Sequence, residues 1–359
     1  MKILFINPNQ FGYTAGYYFY CRYLVANGHT ITFYCFDQGF EKQKIIGVDL
    51  IYIKLKSNKL NTRFSFYSKL NKLNMSEFDI VFLNHHRFSF LCRFFGVPYN
   101  SILDIRTGDI RAKGLKKLIF DKLYKFDTYF YKHITILSES LRRTLRIRVS
   151  KCTILPLGSI DFSIKPKEYN SSIKMLYIGT FNNRNISDTI EGVYLFTKDN
   201  PTISIKYDIV GFGFDHEENK LIETIAKYKL NKIIKFHGRK NYSELTKYFD
   251  NSNVGVSYVP ITKTFDVQPP TKTYEYILSG LFCIATATSE NKKIITKKNG
   301  FLISDTSRAF ANAIFHFHQT RLSYDYHDIK NSLIDNHWKK IVLRILEPLF
   351  FNLIKHPSK

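Results

Sequence analysis

Residues 266–290 read DVQPPTKTYEYILSGLFCIATATSE, and the chain is organised around them. Pro269 and Pro270 end whatever precedes them. A proline suits the first turn of a helix, where its missing N–H would have had no partner. The stretch predicts a helix that starts at Pro270 or Thr271, runs through Lys272, Glu275 and Ile277, and ends at Gly280, a left-handed cap. Phe282–Ala285 then reads as a short buried strand. A helix start presents free N–H groups and the positive end of the dipole, so it can hold an anion. Lys272 lies in that first turn, and Glu275 lies three residues on, on the same face. Amides and a lysine on phosphates, with a carboxylate on ribose hydroxyls, suit a nucleoside diphosphate. The plainer reading is a surface helix on which Lys272 and Glu275 pair in solvent.

Upstream, Met175–Ile178 reads as a strand, followed by Gly179, a basic loop with Arg184, and a helix from about Ser187. This is a second phosphate-facing constellation. Arg184 is the basic residue of that loop; a plain surface arginine is the alternative. Strands at Tyr207–Val210, Ile233–His237 and Val254–Val259 complete this half, and the polar, proline-containing stretch 163–172 reads as a linker before it.

The first half opens with a strand at Lys2–Asn7, a loop with Gly12 and Gly16, a helix over 15–27, and a strand at Thr30–Phe36. That is a βαβ unit. Gly12 and Gly16 read as a cleft loop or as plain turn glycines. Phe78–Leu83 is a strand with His85 and His86 at its carboxyl end, where ligands gather in open α/β sheets. Asp104, Arg106 and Asp109 follow the strand Ser101–Ile105. Either aspartate is a candidate general base, or the group is an Asp–Arg pair capping the next helix. Residues 111–133 read as an amphipathic helix with Leu115, Leu118, Ile119, Leu123 and Phe126 near helical spacing among lysines. Such a helix either lies on anionic lipid or packs its apolar side inward. Residues 335–354 read as helical with a kink at Pro348.

The 359 residues suit two domains. The formal charge of +23, from 53 Lys+Arg against 30 Asp+Glu, points to an anionic membrane face, nucleic acid or anionic substrates. The five cysteines are scattered with no CxxC pair, so no zinc ribbon or redox motif is indicated, and a reducing cytoplasm fits. The start MKILFINPNQ reads as a first strand rather than a signal peptide, and no apolar run is long enough for a span.

The run PPTKTYEYILSGLFCIATATSENKKII resembles the nucleotide-sugar-binding segment of GT-B fold glycosyltransferases of the family 4 type. Those often carry a proline–x–lysine–x–x–glutamate–tyrosine run, a small-residue–glycine turn and a strand. The family pattern has two glutamates eight apart. Glu275 matches the second, which in the family contacts the ribose; Val267 stands at the first, with Asp266 beside it as a replacement. The family often places an arginine after the glycine at 179, where this chain has Thr180, and a lysine near Arg184.

The resemblance implies an α/β chain of two Rossmann-like domains facing a central cleft. The expected limits are 1–162 on the acceptor side, 163–334 for the nucleotide sugar, and a helix at 335–359 returning to the first domain. It implies Gly179, Arg184, Thr271, Lys272 and Glu275 on the donor, and Asp104, Arg106 and Asp266 in catalysis. Gly12, Gly16 and His85 would form the cleft loop, and neither a metal nor another cofactor would be needed. The expected activity is retaining transfer from a nucleotide sugar to a lipid-linked saccharide in surface polysaccharide assembly. That places the protein in the cytoplasm, peripheral to the inner face of the membrane. Two other readings are a nucleotide-sugar epimerase of the same fold and a basic nucleic-acid-binding protein. No helix-turn-helix, zinc-finger or RNA-recognition signature supports the latter.

Overall fold

Runs such as ILFI at 3–6 and CIA at 283–285 show no polar alternation, the pattern of a strand covered on both faces. Each becomes an interior strand of its own sheet. The computed structural model describes residues 1–108, 114–170 and 172–355. The chain divides into two compact units, Met1–Leu157 with Trp338–Lys359, and Gly158–His337.

The first unit holds a parallel sheet of β1 (Lys2–Asn7), β2 (Thr30–Asp37), β3 (Val48–Lys54), β4 (Ile80–Asn84), β5 (Ile102–Ile105), β6 (His133–Ile136) and β7 (Cys152–Ile154). Their spatial order is β3-β2-β1-β4-β5-β6-β7. The second holds β8 (Ile173–Thr180), β9 (Ile205–Phe212), β10 (Ile234–Phe236), β11 (Val254–Ser257), β12 (Phe282–Thr286) and β13 (Gly300–Ile303). Their order is β10-β9-β8-β11-β12-β13, again parallel. In both sheets the chain winds outward from its first strand and then returns to that strand's other side. The reversal falls between β1 and β4 and between β8 and β11. Ligands of open α/β sheets bind beyond the carboxyl ends of the strands at such a switch.

The edge strands β3, β7 and β13 carry no strong sequence signal. The partly exposed VDLIYIK of β3 is one example. The stretch 163–170 differs from the expected loose linker. The Ser163 hydroxyl donates to Asp250 at 2.6 Å, the Ile164 N–H does so at 3.0 Å, and the Lys167 ammonium bonds Ser163 Oγ at 2.7 Å. Tyr169 donates to the carbonyl of Gly280. These bonds fasten the stretch to the second unit, and burial pushes Lys167 down to about 8.

The closing segment belongs to the first unit. Trp338 is buried, stacked with Phe19 at 6.2 Å and edge-on to Tyr20 at 5.6 Å. A Cβ on Gly16 would lie 3.4 Å from its ring. Val342–Leu346 is a π-helical turn just before Pro348, a proline that cannot complete the ladder behind it. Glu347 accepts from His29 at 2.6 Å and from Asn27 at 3.0 Å. Replacing Trp338 by alanine is expected to lower the stability of the first unit by about 3–5 kcal/mol, read from chemical denaturation.

Candidate functional site

A missing side chain sets the position of the helix Thr271–Leu278. A Cβ on Gly255 would lie 2.2 Å from the ring of Tyr276, so only glycine lets that ring lie against β11. The Tyr276 hydroxyl then accepts the N–H of Ile178 at 2.7 Å, tying the helix to β8 one residue before Gly179. The buried hydroxyl of Thr273 pairs with Ser257 at 2.7 Å and donates to Asn291 at 3.0 Å. These bonds anchor the first turn to the end of β11 and to the start of the helix Asn291–Ile294 that follows β12. Pro270 caps the start in extended conformation, and Thr271 is exposed at the first helical position. At the other end Gly280 takes φ +72°, with the Leu281 N–H bonded to the Tyr276 carbonyl at 2.9 Å. The sequence predicted this cap.

The helix carries Lys272 against the carboxyl end of β8. Its Nζ sits 3.6 Å from the centre of the Tyr177 ring, and a Cβ on Gly179 would lie 3.3 Å from it. Gly179 has φ +143°. A Cβ on Gly211 would meet the Gly179 carbonyl oxygen at 1.9 Å, so bare backbone on both strands keeps this corner open. Lys272 Nζ is buried without a hydrogen-bond partner, an arrangement that needs an explanation in a folded protein. Arg184, in the loop after β8, lies with its guanidinium 4.0 Å above the ring of Phe265.

Burial holds Lys272 well below the ordinary lysine range, and the charge of Arg184 adds to the effect. Burial also lowers Arg184. Glu275 is pushed up to about 7 by burial, against the pull of Lys272. Two cations and a carboxyl thus share a site that disfavours the charge of each. An incoming anion relieves both cations at once, since an opposite charge within a few ångströms favours the charged form.

The other expected site residues are differently employed. Asp266 accepts the backbone N–H of Ser289 at 2.7 Å and its hydroxyl at 2.6 Å. Both carboxylate oxygens of Asp266, the expected replacement for the family's first glutamate, therefore clasp a loop. In the first unit Asp104 is buried, accepting from Tyr17 at 2.8 Å and Thr135 at 2.7 Å, with Arg106 at 3.9 Å. Burial raises its pKa, and Arg106 opposes the rise. Arg106 donates to the carbonyl of Leu155 at 2.6 Å. These two hold the sheet and the helix Ala15–Ala26 together, and Asp104 offers no free oxygen to a substrate hydroxyl. Asp109 lies outside the described residues.

The buried ring of His85 bonds Asp127 at 2.8 Å and packs on Tyr124 at 4.0 Å. Gly12, at φ +91°, makes a turn against Gln43, and Gly16 leaves room for Trp338. Sequence reasoning missed Tyr177, Phe265 and Gly255. An aromatic two residues before Gly179 was the only available hint of the first.

Residues 172–319 match the family model described as glycosyl transferases group 1. The chain is a glycosyltransferase. A search of curated proteins gives no significant match. Among solved structures, the sucrose-phosphate synthase of Thermosynechococcus elongatus superposes with a TM-score of 0.73 at 15% identity, covering 99% of each chain. HepE of Anabaena in complex with UDP gives 0.70 at 11% identity, covering 97% of this chain and 99% of that one. The lipopolysaccharide outer core galactosyltransferase WaaB, in its apo form, gives 0.68 at 14% identity, with 99% of both covered. At these identities the likeness establishes the fold, that of the GT-B glycosyltransferases.

In this glycosyltransferase the raised Glu275 carries a pH signature. Its folded pKa of about 7 exceeds the ordinary 4.5. Its contribution to stability is therefore fully present below about 4.5 and is lost as pH rises through 7. The Glu275→Gln variant is expected to gain stability relative to the parent across that window, on the order of 1–3 kcal/mol. Denaturation midpoints of both proteins, measured from pH 4.5 to 8, check the sign.

Proposed function

We propose that the chain moves a sugar from a nucleotide-sugar donor to an acceptor hydroxyl, with retention of anomeric configuration and without a metal. The observation that carries the reading is the buried, unpartnered ammonium of Lys272 beside Arg184, beneath the bare backbone of Gly179. Glycosyl transfer breaks the bond between the anomeric carbon and the diphosphate, and the electron pair leaves with the phosphate oxygen. Lys272, Arg184 and the amides at Thr271 supply positive charge where that negative charge develops. Glu275, one turn further along, takes the ribose hydroxyls. HepE, solved with UDP, supports a nucleoside diphosphate as the ligand.

The acceptor proposed is a lipid-linked saccharide in surface polysaccharide assembly, reached by a protein peripheral to the membrane. WaaB, a galactosyltransferase of the lipopolysaccharide outer core, supports this. No helix among the described residues is long and apolar enough to cross a membrane.

Calorimetric titration with UDP tests the donor site. Lys272→Ala is expected to weaken UDP binding and to slow transfer about 100–1,000-fold, the effect of losing one positioned donor to a developing anion. Unchanged binding and turnover would remove the proposal's basis. The diphosphate should also raise the depressed pKa of Lys272. Binding should then take up protons at pH values where free Lys272 is partly neutral, seen as a dependence of the measured heat on buffer ionisation enthalpy. Affinity should fall as pH rises, and Lys272→Ala should abolish the uptake.

A further inference from the structure

We infer that the helix Gly114–Asp127 and the turn after it form a surface that docks on an anionic lipid bilayer. The inference deepens the membrane side of the reading above and rests on it for its setting.

Leu115, Leu118, Lys122 and Phe126 are spaced three or four apart, with Ile119 next to Leu118, and share one face of the helix. In a globular protein an apolar face of this kind turns inward. Here it turns out: Leu115 is 73% exposed, Leu118 60%, Ile119 54% and Phe126 44%. The inner side is instead taken by the buried Asp127, which holds His85, and by the partly covered Leu123 and Tyr124. The sequence left open whether the apolar residues pack inward; of them Leu123 is partly covered, while Leu115, Leu118, Ile119 and Phe126 are exposed.

The patch continues beyond the helix. Phe126 packs on Phe90 at 5.3 Å and on Phe130 at 5.1 Å, and Phe94, 69% exposed, lies 6.5 Å from Phe130. A contiguous exposed apolar surface marks a contact with a protein or a membrane.

Charge decides between those partners. Residues 114–132 contain five lysines (116, 117, 122, 125 and 132) against two aspartates, Asp121 and Asp127. Asp127 is buried on His85, so it does not offset the lysines at the surface. Lys116 and Lys122 are exposed beside the apolar residues, and the Arg87 guanidinium lies 3.8 Å over the ring of Phe120. An apolar stripe with a cationic rim matches acyl chains beneath anionic headgroups. A second copy would bring the same basic face and its own +23 charge, which opposes self-association.

The test is co-sedimentation of the full chain with vesicles of phosphatidylcholine alone or mixed with phosphatidylglycerol. UDP titration of each protein in solution runs in parallel. The parent is expected to bind the anionic vesicles and not the neutral ones. The Leu118→Glu/Ile119→Glu variant should lose about tenfold or more in partitioning, because two apolar side chains no longer insert. Lys122→Glu should lose several-fold. Both should bind UDP as the parent does. If the double variant also loses UDP binding, Leu118→Ser replaces it, with the same two readouts.

Failure of UDP binding in the parent would strike the donor site and leave this face standing. The inference is overturned if the parent ignores anionic vesicles or if the apolar substitutions leave partitioning unchanged. It is overturned equally by a dimer in light scattering that the same substitutions dissociate while vesicle binding persists, since the face would then belong to a second copy.

Discussion

A buried lysine over an aromatic ring, with no anionic oxygen in contact, is the feature on which the functional account depends. Desolvation disfavours the ammonium of Lys272, and a tyrosine face offsets only part of that loss. The fold tolerates the arrangement because the helix holding Lys272 cannot shift. Tyr276 is locked between Gly255 and the Ile178 N–H, and Thr273 is bonded on two sides. Rigid placement of an unsatisfied cation is what an anion-binding site requires: the reorganisation is made in folding rather than at the moment of binding. The glycines at 179 and 211 complete it by keeping side chains away from the cation.

Much of this was legible in the sequence, for identifiable reasons. The start of the helix at 270–271 and its end at Gly280 follow from proline and glycine chemistry, which is local and survives any tertiary context. Interior strands announced themselves as unbroken apolar runs. Lys272, Glu275 and Arg184 were visible as charges at element starts. What sequence could not give was neighbourhood. Whether Asp104 faces solvent or Tyr17 depends on strands far apart in the chain, and the structure buries it. Asp266 lies one residue from the family's glutamate position, yet Ser289, 23 residues on, occupies both its oxygens. The edge strands β3, β7 and β13 were missed because partial exposure erases the periodicity that marks interior ones, whereas the edge strand β10 was read at Ile233–His237. The stretch at 163–170 has a linker's composition, but Asp250 gathers its donors into the second unit.

The polar groups of the two units divide their labour. In the first, Asp104 lies beside Arg106 and bonds Tyr17, and His85 bonds Asp127, and these groups act as a scaffold. In the second, burial disfavours the charges of Lys272, Arg184 and Glu275, and the two cations repel each other. A group whose surroundings oppose its charge is a better pointer to chemistry than one that is merely conspicuous in sequence.

The most direct measurement is a structure of the chain crystallised with UDP. The account predicts the diphosphate at the start of the helix Thr271–Leu278, with phosphate oxygens within hydrogen-bond distance of Lys272 Nζ and the Arg184 guanidinium, and the ribose hydroxyls on Glu275. A nucleotide bound elsewhere, or one that leaves Lys272 buried and unpartnered, would contradict it.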